Sequence, residues 1–484
     1  MALRSRSEVG RRARLRAGFC EETIRGLPLL SPLLKKKMDA RTRHLLTAPP
    51  FALLVSLATP NSVAFFIQSI VSMTEVWIIG SLGTASLAAI ALAFPLLMLM
   101  QTLPGGALGG SVASSIARAV GAGNHERAER LIWHALAIAA IGAALILLLF
   151  TFLGEGLFRF LGGSGAVLEQ ATSYGRILCS GGLFLWLIGV LTAVFRGMGD
   201  MRFPALMMVI NAVVQIPVSI CLVVGAFGLP QLGVSGAAVS AVLVSALIGI
   251  IMLLRLVFGN TLIKLRLHPH LFSSDLFADI MRVAVPASLS PLLTVSTIIS
   301  LTAIVGGFGE SALAGYGIGS RIEFLMIPLI FGLGAAMTSL VGMSIGAGDQ
   351  ARAERIGWIG SFSAAALAGS VGLILAVTGN LWIPVFTQDP AIHAAALSYI
   401  RIVGPCFIFM GLGFSLYFAS QGAGAMLWPV AATITRIFVA VGGALLLTRT
   451  FDFGLDGVYF AAALAMAFYG SVIATSLKLG AWRK

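Results

Sequence analysis

The sequence predicts an all-α polytopic membrane protein, with twelve transmembrane helices in two six-helix lobes related by a pseudo-twofold axis along the membrane normal. Three observations predict it: an extreme apolar composition, apolar runs that recur at membrane-spanning length, and an internal repeat that divides those runs evenly. Hydrophobic residues make up 58% of the chain and charged residues 11%, with a mean hydropathy of +0.98. A soluble domain carries roughly 25% charged residues, so this composition excludes one.

Apolar runs long enough to cross ~30 Å of hydrocarbon recur from Phe51 to the C-terminus. They read as spans at 52–79, 86–116, 129–153, 168–195, 203–226, 232–256, 277–304, 312–341, 355–378, 392–418, 428–448 and 456–477. GAGNHERAERLIW at 121–133 returns as GAGDQARAERIGW at 346–358, ATSYGRI at 171–177 as ALSYIRI at 396–402, and RGMGDMRFP at 196–204 as QGAGAMLWP at 421–429. All three pairs share an offset of 225 residues, and Pro60 matches Pro286 after a one-residue slip. Motifs repeating at one offset mark duplicated structural units. The units are 51–258 and 276–484, joined by a linker over 259–275. Each holds six spans, so both enter from the same side, and a cavity is expected between them.

The net charge of +13 gathers in the first 50 residues and in short connections. Arg118, Arg127, Arg130, Arg196, Arg202, Arg255, Arg352 and Arg355 all fall on one side, which the positive-inside rule assigns to the cytoplasm. Both termini are then cytoplasmic and the chain is expected in the cell's inner (plasma) membrane. The basic stretch 1–50 reads as a disordered cytoplasmic tail or as a mis-assigned start preceding Met38. Its charge suits anionic lipid headgroups; nucleic acid is a poor partner for so hydrophobic a chain. The cysteines Cys20, Cys179, Cys221 and Cys406 are too scattered for a disulfide framework or metal site.

Pro60–Gly83 is the most informative stretch. Asn61, Gln68 and Glu75 are spaced seven and seven, close to two helical turns, and Ser72 lies on the same stripe. Val63, Phe66, Ile70 and Trp77 occupy the opposite face. A helix with one wet seam must turn it towards protein or a water-filled cavity. The duplicated half departs at these positions: Glu75 corresponds to Leu301, Gln68 to Thr294, Asp200 to Ala425 and Asn211 to Arg436. Shared glycines and prolines read as fold, and unshared polar groups as task.

At these residues the chain resembles the multidrug and toxic compound extrusion (MATE) family of secondary transporters. The resemblance lies in Pro60, Gln68, Glu75, Gly80 and Leu82-Gly83, and in the Gly-Ala-Gly…Arg-Ala segments at Gly121–Ala128 and Gly346–Ala353. It continues in Tyr174–Ile177, Tyr399–Ile402, Gly197–Asp200 and Pro204, and covers Phe51 to about Gly480. It implies two six-helix lobes around a central cavity, alternating access, and export of mostly cationic organic compounds in exchange for H⁺ or Na⁺. This chain differs in having Glu75 where the family's first-helix acid is usually Asp. Its fifth span carries an uncharged Asn211–Gln215 pair, and Thr294 stands where some members place a seventh-helix acid.

The expected coupling-ion site is Glu75 with Asn211 and Gln215. A carboxyl group stripped of water is more stable protonated, so Glu75 can load a proton on one side and release it when the cavity rewets on the other. The plainer reading is a polar contact that holds helices together. H⁺ is favoured over Na⁺, which needs several hard oxygen ligands against one carboxylate here. Asn61, Gln68 and Ser72 are candidates for the substrate or ion path, with plain interhelical hydrogen bonds as their alternative; Glu323 is another, with a structural or gating ion pair as its alternative. Pro60 is expected to bend the first helix. Arg321 and Arg436 read as structural charges. Arg321 and Glu323, two apart, do not face each other, and Arg436 cannot cycle protons because arginine does not deprotonate. Gly105, Gly106, Gly109 and Gly110 form two overlapping GxxxG spacings, a helix-packing signal.

No cofactor is expected, and no enzyme: the histidines, His44, His125, His134, His268, His270 and His393, form no metal-ligand or acid–base cluster at membrane depth. The expected partners are small organic substrates and the lipid bilayer, with the chain a monomer. The alternative function is a flippase for a lipid-linked or amphiphilic substrate.

Overall fold

A computed structural model describes residues 40–228, 230–266 and 272–483. The basic stretch 1–39 with Met38 and Cys20, together with His268 and His270, lies outside the described residues. Among them, eleven helices are long and apolar enough to cross a membrane, or twelve spans if the bent pair is one. We number them α1 (Pro50–Gly80), α2 (Thr84–Gly121), α3 (His125–Phe160), α4 (Gly165–Ser180 and Gly182–Gly197, bent by 53°), α5 (Arg202–Val224) and α6 (Val234–Phe258). The second half supplies α7 (Ser274–Gly306), α8 (Glu310–Gly346), α9 (Gln350–Val377), α10 (Pro390–Ala423), α11 (Leu427–Arg449) and α12 (Gly454–Lys478).

The repeated motifs are the stop and start signals of these helices. Gly123 (φ 70°) and Gly348 (φ 78°) end α2 and α8 in the left-handed region, where a side chain would be strained. One residue later Asn124 and Asp349 cap α3 and α9, accepting from Arg127 N at 2.8 Å and Arg352 N at 2.9 Å. What looks in sequence like a charged motif is, physically, a pair of equivalent turns.

The same turns lock the lobes together. Without a hydrophobic force between helices in lipid, association depends on close backbone approach by small residues. A Cβ on Gly121 would strike the Met343 carbonyl, and one on Gly346 would strike the Arg118 carbonyl, a reciprocal contact about the repeat axis. Ser114 donates to Gly422 O at 3.0 Å, and its counterpart Ser339 donates to Arg196 O at 2.7 Å. Asp279 of α7 accepts from Arg118 at 2.8 Å and Arg127 at 3.0 Å, so two first-lobe arginines clamp one second-lobe carboxylate. Of the GxxxG glycines, Gly109 packs against Pro104 and Ala193 and Gly110 against Gln421, but Gly105 and Gly106 face open space. Those two sit in a π-helical segment, Leu103–Ala107, which displaces them from the packing face.

One apolar core spans both lobes at this end, containing Val112, Ile116, Val194 and Phe195 alongside Met337, Leu340, Leu416 and Ala419. Towards the other end each lobe has its own core, one around Ile79, Tyr174 and Val223, the other around Leu301, Tyr399 and Tyr459. The lobes therefore share packing at the end of the Gly-Ala-Gly turns and separate beyond it.

One stretch departs from the sequence reading. The tail expected to run unstructured to residue 50 instead folds over Ala40–Thr47 into a short helix, because Leu45 and Leu46 bury in the shared core. Arg352 donates to Leu45 O at 3.1 Å and Ala48 O at 2.7 Å, tying that helix to the second lobe. The linker packs on α3: Trp133 donates to Arg266 O at 2.9 Å, and His134 Nε2 bonds Ser273 O at 3.0 Å.

Gly121→Val is expected to lower the thermal midpoint of the purified protein by several degrees, since overpacking costs ~1–3 kcal/mol. Gly105→Ala is expected to leave it unchanged within about a degree. A fluorescence melt in detergent compares the two.

Candidate functional site

The first lobe draws Glu75 of α1 to α5, where Asn211 and Gln215 lie one turn apart. Gln215 Nε2 donates to Glu75 Oε1 at 2.7 Å, and Asn211 Nδ2 donates to Gln215 Oε1 at 2.9 Å. The three form a chain from amide to amide to carboxylate, with Gln215 buried and Glu75 half-buried. Tyr174 of α4, 3% exposed, lies within Coulombic reach of Glu75. Asn211 Oδ1 is buried with no hydrogen-bond partner, an acceptor held in reserve. The structure thus brings together the three residues expected to form the coupling site.

The remaining first-helix candidates separate. Asn61 is fully buried, and its Nδ2 donates to Leu57 O at 3.4 Å and Met201 Sδ at 3.2 Å. Fourteen residues of helix separate it from Glu75, roughly 21 Å at 1.5 Å per residue, so it packs at the shared end and not beside the carboxyl group. Gln68 is half-buried and Ser72 exposed. Val63, Phe66, Ile70 and Trp77 on the opposite face are all exposed, as a lipid-facing stripe requires. Pro60, the expected bend, sits inside an unbroken helix.

The second lobe also holds a carboxyl group between helices. Glu323 of α8 accepts from Tyr399 Oη at 3.1 Å, and the Arg436 charge of α11 lies within its Coulombic reach. Tyr399 is the repeat counterpart of Tyr174, and Arg436 that of Asn211. The equivalent pocket therefore carries a carboxyl group in both lobes, supplied by the first helix of one and the second helix of the other. Leu301, at the position of Glu75, is packed apolar core. Arg436 is 8% exposed, with its guanidinium 5.6 Å above the Tyr469 ring. Arg321 is exposed, and neighbours two apart on a helix do not face each other.

Sequence reasoning used Tyr174 and Tyr399 as markers of the repeat and missed them as neighbours of the carboxyl groups. The signal available was their duplication at helix-interior positions. Tyr316 and Tyr459, which stack at 6.5 Å beside Tyr399, carried none. Among the described residues no cluster of His, Cys, Asp or Glu has metal-binding geometry.

Up to twelve spans in two repeat-related lobes, each with a carboxyl group set between helices, have the architecture of a membrane transporter. The MatE family model matches residues 60–221 and 286–446, one match per lobe, and the chain belongs to that family of multidrug and toxic compound extrusion transporters. It is similar to the probable multidrug resistance protein NorM of Thermotoga maritima, 27% identical over 439 residues covering 89% of this chain and 93% of that one. It is also 28% identical to an FAD transporter of Shewanella oneidensis over 396 residues, 78% of this chain and 84% of the relative. Among solved structures, the outward-facing conformation of a multidrug resistance MATE family transporter of the MOP superfamily superposes with a TM-score of 0.84 at 25% identity. That match covers 92% of this chain and 99% of that one.

Gln215→Leu removes the donor to Glu75 and is expected to cost about 1–3 kcal/mol of stability, as for other buried polar groups left unmatched. Ser72→Ala, at an exposed position, is expected to stay within about 0.5 kcal/mol of wild type. Denaturant unfolding of both variants in mixed micelles measures the difference.

Proposed function

We propose that this efflux transporter exchanges organic substrates for protons, with Glu75 as the proton-carrying group. The observation that carries the reading is the Asn211–Gln215–Glu75 chain. As an anion Glu75 accepts from the Gln215 amide; once protonated it gains an O–H donor, which the Gln215 amide meets by reversing to offer its oxygen. Asn211 then turns its own oxygen, the partnerless Oδ1, towards the Gln215 amino group. Two arrangements of one network, with Asn211 Oδ1 unpartnered in the first and engaged in the second, are what a two-state switch requires. Lipid cannot satisfy either arrangement, so the change in bonding is transmitted to the packing of α1 against α5.

The neutral amides also favour H⁺ over Na⁺. Gln215 presents N–H to the carboxylate, where a bound sodium ion requires oxygen. The charge distribution supports a cytoplasmic location for the Gly-Ala-Gly turns, with both termini on that side of the plasma membrane. With the lobes packed together there, the separate cores face outwards, and the state described is outward-open. The chain then needs no second copy to complete its site, which supports a monomer.

A second reading is carried by Arg436. Exporters of anionic or lipid-linked compounds need basic groups at depth, and a relative is an FAD transporter. The deep charges here are mixed in sign, which favours the multidrug reading over a flippase.

In proteoliposomes with an imposed ΔpH, wild type is expected to accumulate ethidium and Glu75→Gln to fall to the level of empty liposomes, with equal protein incorporated. Transport that follows a Na⁺ gradient and ignores ΔpH would assign the other ion.

A further inference from the structure

The short helix Ala40–Thr47 lies where the two lobes meet, and proton coupling at Glu75 gives it no task. Thr42, Leu45 and Leu46 make its buried face, while Arg41, Arg43 and His44 are exposed. Leu45 is a wedge between the lobes: a Cβ on Gly199 of the first would lie 2.5 Å from Leu45 Cδ1 and 3.1 Å from Met343 Cε of the second. The polar contacts divide in the same way. Arg41 pairs with Asp200 Oδ1 at 3.3 Å and donates to Gly199 O at 3.2 Å, both in the first lobe. From the second lobe Arg352 donates to Leu45 O at 3.1 Å and to Ala48 O at 2.7 Å. Pro49 has no N–H to give the Leu45 carbonyl four residues back, so the guanidinium supplies what the helix end lacks. Asp200, which the second lobe replaces with Ala425, also acquires a role. Its Oδ1 accepts from Phe203 N at 3.2 Å in the first turn of α5 and takes the arginine of the short helix as well.

We propose that Ala40–Thr47 is a strap across the seam, latched to the second lobe by Arg352 and released from it each time this end of the molecule opens. The inference rests on the efflux reading above, in which that end must open to load substrate. The two attachments are unequal. Ala48 and Pro49 alone separate the strap from α1, so it travels with the first lobe. Its hold on the second lobe is non-covalent: two charge-assisted bonds from one guanidinium, and the packing of Leu45 and Leu46 in the shared core. The repeat supports this reading. Arg127, the counterpart of Arg352, holds Asp279 near the start of α7. Each arginine thus reaches from one lobe to the chain entering the other.

The test measures spin-label distances on the full chain in nanodiscs, with Cys20, Cys179, Cys221 and Cys406 replaced by alanine. Labels at Glu126→Cys and Ala351→Cys, exposed repeat counterparts on the two lobes, read the opening of the seam, and one at His44→Cys follows the strap. Arg352→Gln is expected to raise the open-to-closed ratio of the Glu126/Ala351 pair about tenfold, as loss of a charge-assisted contact implies. Arg352→Lys, which keeps a charged donor, is expected to raise it less. Leu46→Ala spares Arg352 and is expected to raise the ratio severalfold, so either variant decides alone. In the open fraction the distance from His44 to Ala351 lengthens while that from His44 to Glu126 holds. A ratio unchanged by Arg352→Gln or by Leu46→Ala would overturn the proposal, and so would a strap that keeps its distance from Ala351 as the seam opens. Glu75→Gln is expected to leave the rise caused by Arg352→Gln intact, so a failure of proton coupling and a failure of the strap give different results.

Discussion

Inside hydrocarbon every polar group must find its partner within the protein, and the hydrogen bond from Gln215 to Glu75 is where that constraint acts most sharply. The carboxyl group cannot be left bare, so α5 must stay against α1 for as long as the group is charged. In the proposed exchange the protonated group gains an O–H donor, and the amides of α5 can turn to accept it. Under the proposed proton exchange, helix packing and proton occupancy become one equilibrium. Around this contact Tyr174 lies buried on α4, while Phe66, Ile70 and Trp77 are exposed on the apolar face of α1.

Duplication supplies the frame in which one such contact can move. Reciprocal glycine contacts at Gly121 and Gly346 place the axis, and the Arg118–Asp279–Arg127 clamp closes the end where the lobes meet. Asp279 is partly exposed, so the clamp is worth little on its own, about 1 kcal/mol or less per pair. A contact of that strength suits the proposed exchange, in which the clamp would open and the small-residue packing around it would set the register on reclosure.

The elements most legible in sequence were those encoded locally. Hydropathy located the spans to within a few residues, as with 52–79 against Pro50–Gly80, and the offset of 225 paired the Asn124 and Asp349 caps before their geometry was known. Events arising from packing were not legible. The bend at Gly181–Gly182 in α4 and the π segment at Leu103–Ala107 leave no hydropathy signal. Glu75, Asn211 and Gln215 stood out one by one as polar residues in apolar runs, but their adjacency depends on how α1 leans on α5. The Tyr399–Glu323 contact was hidden for a further reason: tyrosine in a span reads as part of the apolar background, and the second-lobe carboxyl group comes from a helix that breaks the repeat. Asn61 shows the opposite error, since a shared helical face put it with Glu75 while the length of the helix put it elsewhere.

The central claim is that substrate binding and the proton on Glu75 exclude each other within one network. Proton release on adding substrate to lightly buffered protein, read with a pH-indicator dye, measures this directly. The account predicts about one proton per transporter from wild type and none from Glu75→Gln at matched occupancy. Binding without proton release in wild type, or equal release from the variant, would contradict it.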